Sequence, residues 1–73
     1  MIALADSSPA AGRLIRELEL RTRTGASIVA IERHGINLIN PGSDDELLLN
    51  DQVLVLGSET HLEKARQHLL GGE

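Results

Sequence analysis

The stretch ASIVAIERHGINLIN, residues 26 to 40, decides the fold. Ile28, Val29, Ala30 and Ile31 form an unbroken apolar run, the pattern of a strand covered on both faces, and this is expected to be the central strand of a sheet. His34-Gly35 then separates it from Ile36-Asn37-Leu38-Ile39-Asn40. Two residues including a glycine between two such runs signal a β-hairpin. Pro41-Gly42 ends its second arm, and VLVLG at 53 to 57 reads as a further buried strand closed by Gly57.

Upstream, Ile2, Ala3 and Leu4 suffice for a short strand before the turn-forming cluster Asp6-Ser7-Ser8-Pro9. Leu14, Ile15 and Leu18 recur at helical spacing, so residues 12 to 18 read as a short amphipathic helix. Gly12 would begin it; Ser8 as N-cap with Pro9 behind it is the competing start. The shorter version is preferred because an interior glycine costs about 1 kcal/mol relative to alanine. Arg21-Thr22-Arg23-Thr24-Gly25 reads as a polar connection. At the other end Leu62, Ala65, Leu69 and Leu70 lie on one helical face, with Thr60 and Glu63 at capping-box spacing, Ser58 as a rival N-cap and Gly71-Gly72 as the stop. The order strand, helix, strand, strand, strand, helix implies an α+β fold, a small sandwich with helices covering a mostly antiparallel sheet.

The chain has 73 residues, no cysteine and no Phe, Tyr or Trp. One domain spanning 1 to 73 is expected, and a domain of this size buries only about 60% of its unfolded surface, with no disulfide to supplement an aliphatic core. Burial against a second subunit or a parent chain is therefore expected. The abrupt start and the Gly71-Gly72-Glu73 tail read as the cut ends of a domain taken from a longer protein. A formal charge of −4 and the lack of aromatic stacking platforms argue against nucleic-acid binding. No apolar stretch approaches the ~20 residues of a membrane span, and MIALADSS lacks the features of a signal peptide, so a cytosolic location is expected.

Asp44, Asp45, Glu46 and Asp51 are the obvious acidic group. Their spacing does not match a calcium loop, and a solvated turn with Asp51 capping the entry to the next strand is the expected reading. His61 and His68 share a helical face about 10 Å apart, too far to chelate one ion, so both are expected on the surface, with His34 at the hairpin tip. No metal site is expected. The serines fall at caps and turns, and neither a nucleophile elbow nor a Walker loop is present, so no catalytic residue is assigned and the chain is not read as an enzyme. Arg13, Arg16, Arg21 and Arg23 form a basic group that is either a solvated face or a dock for a small anion. Arg33 is more informative, since it ends a buried strand beside an arm carrying Asn37 and Asn40. Guanidinium and amide groups there could frame an anionic ligand, or Arg33 could simply pair with Glu32 or a neighbouring acid.

The run from SPAAGRLIRELELR through GASIVAIERHGINLINPGSDDELLLNDQVLVLG resembles the C-terminal RCK domain, or TrkA-C domain, of potassium channel and transporter regulators and cation/proton antiporters. The likeness covers roughly residues 2 to 70. It rests on Gly12, the V-A-I-x-R-x-G strand from Val29 to Gly35, Asn40-Pro41, and Asp51 leading into VLVLG. The resemblance implies a cytosolic, ligand-sensing homodimer that conveys an effector signal to a membrane-embedded cation transporter or channel, in the same chain or a separate subunit. Some members bind cyclic di-adenosine monophosphate (cyclic di-AMP) across the two-fold interface. Carried over by position, the effector-binding residues are Ile28, Val29, Arg33, Asn37, Leu38 and Ile39. The family's glycine-rich nucleotide-binding half does not lie in this stretch, so NAD or ATP binding is not implied. A purely structural dimerisation module and a sensory accessory domain of an enzyme are the alternatives.

Overall fold

The computed structural model describes residues 2–4 and 8–71. Seven elements follow one another: β1 (Ile2–Ala3), α1 (Ile15–Leu18), α2 (Leu20–Thr24), β2 (Ser27–Arg33), β3 (Ile36–Ile39), β4 (Gln52–Leu56) and α3 (Glu59–Leu70). The strands form one antiparallel sheet in the order β1-β4-β2-β3. The expected α+β architecture is therefore present, with β2 and β4 interior and β1 and β3 at the edges.

The hairpin forms as its residues require. His34 and Gly35 have φ of 53° and 77°, both left-handed, and Arg33 faces Ile36 across them. Two positive φ values in a two-residue loop twist the arms the way paired strands twist.

The apolar run of β2 has a different cause from the one expected. Ile28 pairs with Val55 and Ala30 with Leu54, so Val29 is an extra residue, a β-bulge, on the β4 side. The bulge lets Ile28 and Ile31, three positions apart, both face the core. The sheet is covered on one side only. Ile31, Val53, Val55, Ala65 and Leu69 belong to the core beneath the helices, while Leu54, Leu56 and Ile39 are exposed.

The first helix is shorter than 12 to 18, and a second one follows it. Backbone turns occupy residues 8 to 13, and Gly12 sits at φ 85° ahead of α1 rather than inside it. Glu17 Oε1 accepts from the Leu14 N–H at 2.9 Å, and the N–H groups of Ile15 and Arg16 donate to Asp45 O and Ser43 O, both at 2.9 Å. These partners satisfy donors that a helix start leaves open. Glu19 then turns left-handed, at φ 47°, and the presumed polar connection becomes α2. Leu20 and Thr24 are one turn apart and buried, with Thr24 Oγ1 donating to Leu20 O at 2.7 Å. The part of the turn cluster at 5 to 7 lies outside the described residues.

Ser58, not Thr60, caps α3, its Oγ accepting from the His61 N–H at 3.2 Å, and Gly71 at φ 79° ends it. Ala65 and Leu69 are fully buried and Leu70 packs against the core, whereas Leu62 sits at the rim beside Ile2 and Val55. Gly25 has φ 85°, and a Cβ there would lie 2.8 Å from the His61 ring. Gly25→Ala is therefore expected to cost about 1–3 kcal/mol, from backbone strain plus the clash. In a His61→Ala background only the backbone part should remain. Thermal melts of the four proteins test this, and strictly additive effects would show that the clash contributes nothing.

Candidate functional site

Arg33 ends β2 on the core-facing side, in line with Ile31, and lies beside the loop that leads into β4. Its Nε donates to Asp51 Oδ1 at 2.8 Å, and its Nη2 donates to Asp51 Oδ2 at 2.7 Å and to Glu46 O at 2.9 Å. Asp51 Oδ2 also accepts the Leu48 N–H at 2.8 Å. Asp51 thus caps its turn as expected, but it does so as a buried carboxylate, with its side chain 1% exposed against 27% for Arg33. Burial alone would push the Asp51 carboxyl up. The hydrogen bonds from Arg33 and Leu48, together with the Arg33 charge, outweigh it and hold the group below the usual carboxylate range. Hydrogen bonding to Asp51 in turn raises Arg33. Of the two readings of Arg33, pairing with an acid is the one the fold adopts within a single chain, and the acid is Asp51.

Past this anchor, Arg33, His34, Ile36 and Leu38 line a hollow of about 180 Å³. That is below the roughly 300–1,000 Å³ of ligand pockets. Asn37 pairs with Glu32 and Ile39 with Ala30, positions on the open face of the sheet. Arg33 and Asn37 therefore lie on opposite faces of the hairpin in one chain. Ile28 packs against the core and lines a separate hollow of about 230 Å³ with Ile15, Leu20 and Pro41, and Val29 is half-buried at the bulge. His34 and Ile36 were not selected from sequence. Their signal is the two-residue turn, which sets Ile36 directly opposite Arg33.

Several of the acids and one of the histidines are occupied structurally. Asp44 pairs with Arg16, and Asp45 Oδ2 accepts the Gly42 N–H at 2.6 Å. Arg23 pairs with Glu19 one turn away at 3.3 Å, and exposed pairs of this kind contribute little. Among the described residues no three His, Cys, Asp or Glu side chains group to hold a metal. His61 is exposed as expected, and His34 stands at the hairpin tip. His68 is not a surface residue: half-buried, it donates from Nε2 to Leu18 O at 2.7 Å and ties α3 to the end of α1.

A four-stranded antiparallel sheet with helices on one face and an apolar open face defines a class, the small α+β domains. Within it the family is specific. The TrkA-C domain model matches residues 1–70, and the chain belongs to that family. It is 39% identical over 57 residues to the uncharacterized transporter YfbS of Escherichia coli K12, covering 78% of this chain and 9% of that protein. It is 35% identical over 63 residues to the K(+)/H(+) antiporter subunit KhtT of Bacillus subtilis 168, covering 85% and 38%. The chain thus spans well under half of either curated relative. Among solved structures, the RCK_C domain dimer of S. agalactiae BusR in complex with c-di-AMP superposes with a TM-score of 0.84 at 30% identity, over 92% of this chain and 83% of that one. The RCK C domain of the potassium transport protein KtrA, also in complex with c-di-AMP, gives 0.81 at 25% identity, over 93% and 80%.

Proposed function

We propose that this chain is a regulatory, ligand-sensing and dimerising domain of a potassium or cation/proton transport system, working on the cytosolic side of the membrane and without catalytic activity of its own. The observation that carries the reading is its likeness, across nearly the whole chain, to a cyclic di-AMP-bound domain dimer. The hollow at the hairpin fits a shared site, because a partner across a two-fold axis could supply Asn37 and Ile39 opposite the Arg33, Leu38 surface that one chain presents. Ile28 and Val29 would set the strand that carries Arg33. Among the described residues no helix is long and apolar enough to cross a membrane, so any membrane anchorage would come from a partner or from the rest of a longer chain. A net charge of −4 fits a domain without nucleic-acid contacts. An effector favouring one dimer arrangement over another is the minimum that such regulation needs.

Cyclic di-AMP at about 100 times its dissociation constant should stabilise the fold by about 2.7 kcal/mol, raising Tm by about 10 °C or more for a domain of this size. Asn37→Ala should weaken that shift without altering the ligand-free melt, since Asn37 is exposed and its side chain makes no hydrogen bond among the described residues. Arg33→Ala is a poor probe here because it also breaks the Asp51 pair. A second reading, a dimerisation module without ligand, is favoured by the occupation of Arg33 by Asp51 and Glu46. No Tm change with saturating cyclic di-AMP, in a protein that sediments as a dimer, would select it.

A further inference from the structure

Between α2 and the second half of α3 lies a hollow of about 460 Å³ that the hairpin site does not use. Lys64, Gln67 and His68 stand at i, i+3 and i+4 on α3 and so share one helical face, with Arg23 from the last turn of α2 lining the same space. Pro9 and Gly71 complete it, so close together that a Cβ at Gly71 would lie 3.0 Å from the proline ring. Among the described residues no acid lines this hollow. Glu19 takes only the Nε of Arg23, at 3.3 Å, and both Nη nitrogens have no partner among the described residues. The Lys64 ammonium has none there either. The His68 ring is held in place by its bond to Leu18 O at 2.7 Å. The carbonyl end of α3, worth about half a negative charge, would be offset by one cation; Arg23 and Lys64 are two, beside a histidine.

We propose that this hollow binds the phosphate of a small phosphomonoester. Arg23 brings a planar fork of donors and Lys64 a point charge, the two kinds of cation that hold phosphate oxygens, and the Gln67 amide adds a neutral donor. A terminal phosphate carries close to two negative charges at neutral pH and matches the two cations. Each phosphodiester of a cyclic dinucleotide carries one. The volume falls within the roughly 300–1,000 Å³ of ligand pockets, so an organic remainder fits beside the phosphate, against the Pro9 ring. Arg23 precedes β2 and Arg33 ends it, which sets this hollow and the hairpin about 20 Å apart along the strand. The inference is therefore independent of the proposed function and would give the domain a second input. A soluble metabolite and a phosphatidic acid headgroup offer the same group, and the test separates these sources.

Glycerophosphate titrated into the chain at constant ionic strength, followed by NMR of the backbone amides, should shift Arg23, Thr24, Gln67 and His68 saturably, with a dissociation constant of about 1 mM. Arg23→Ala and Lys64→Ala should each weaken binding about tenfold, the loss of one charged hydrogen bond. Both side chains are exposed, so the melts of these variants should match the parent's. Arg66→Ala removes the same charge from the other side of α3, beside Glu59 and Glu63, and should bind like the parent. Vesicles of phosphatidylcholine with phosphatidic acid supply the second arm. Sedimentation of the chain with them, abolished by Lys64→Ala, would make the headgroup the source; saturable glycerophosphate binding without vesicle binding would make it a soluble molecule. The proposal is overturned by the absence of both, with glycerophosphate at about ten times the expected constant. Equal weakening by Arg66→Ala would overturn it as well, because general charge attraction would then account for the binding. Either failure leaves the reading of the hairpin untouched.

Discussion

Asp51→Ala is expected to lose about 3–5 kcal/mol, much of the roughly 4–11 kcal/mol available to a domain of this length. The loss has two sources. Arg33 forfeits a bidentate partner at 2.8 and 2.7 Å, and the Leu48 N–H forfeits its acceptor, so the turn entering β4 loosens together with the end of β2. Arg33→Ala tests the other half of the pair and should differ in kind. Arg33 is partly exposed and can turn toward water, whereas Asp51 is buried and cannot. In the parent protein the Asp51 carboxyl is held below its unfolded value. Its stabilisation is therefore present above the ordinary carboxylate value near pH 4 and is lost as pH falls through the folded value. Without Arg33 two of the influences that hold the carboxyl down are gone while burial still pushes it up, so the folded value rises and the loss of stability toward low pH should shrink. Urea denaturation at pH 3, 5 and 7 reads this directly, and parallel pH profiles for the parent and Arg33→Ala would sink the account.

Leu47→Ala is expected to cost about 2–5 kcal/mol, while Leu49→Ala, two positions on, should stay within about 0.5 kcal/mol. In the leucine triplet only Leu47 is fully buried; Leu48 is 38% and Leu49 47% exposed. Leu47 is held by backbone on both sides, its N–H donating to Arg13 O at 2.9 Å and its O accepting the Gly12 N–H at 2.6 Å. With the backbone pinned to the segment ahead of α1, the space left by a smaller side chain closes poorly. Equal midpoints for the two variants in denaturant would show that the triplet does not discriminate inside from outside.

What could be read from sequence follows how local each signal is. The β2–β3 hairpin and α3 were legible because a turn and a helical stripe are written within a few residues. Helix α2 was not, because Arg21-Thr22-Arg23-Thr24 is polar and its buried face consists of Leu20 and a threonine that bonds back to it. The bulge was hidden as well: an unbroken apolar run fits double coverage and a bulge equally, and only the partner strand tells them apart. At the candidate site Arg33 was identified as significant, but its anchor lies eighteen residues on, at Asp51, and no spacing rule links them. His68 was missed for the same reason, since its acceptor, Leu18 O, is fifty residues away.

The bulge at Val29 also determines where the sheet can change length. Toward β4, Ile28, Ala30 and Ile31 alone would meet Val55, Leu54 and Val53 in unbroken alternation, so Val29 is surplus there. Toward β3 it is required, because its carbonyl takes the Asn40 N–H that closes the hairpin. The two neighbours of β2 therefore count the same strand differently. Residue 29 is the position in β2 where a deletion would leave the inward and outward order toward β4 intact, at the expense of the hairpin's closing bond.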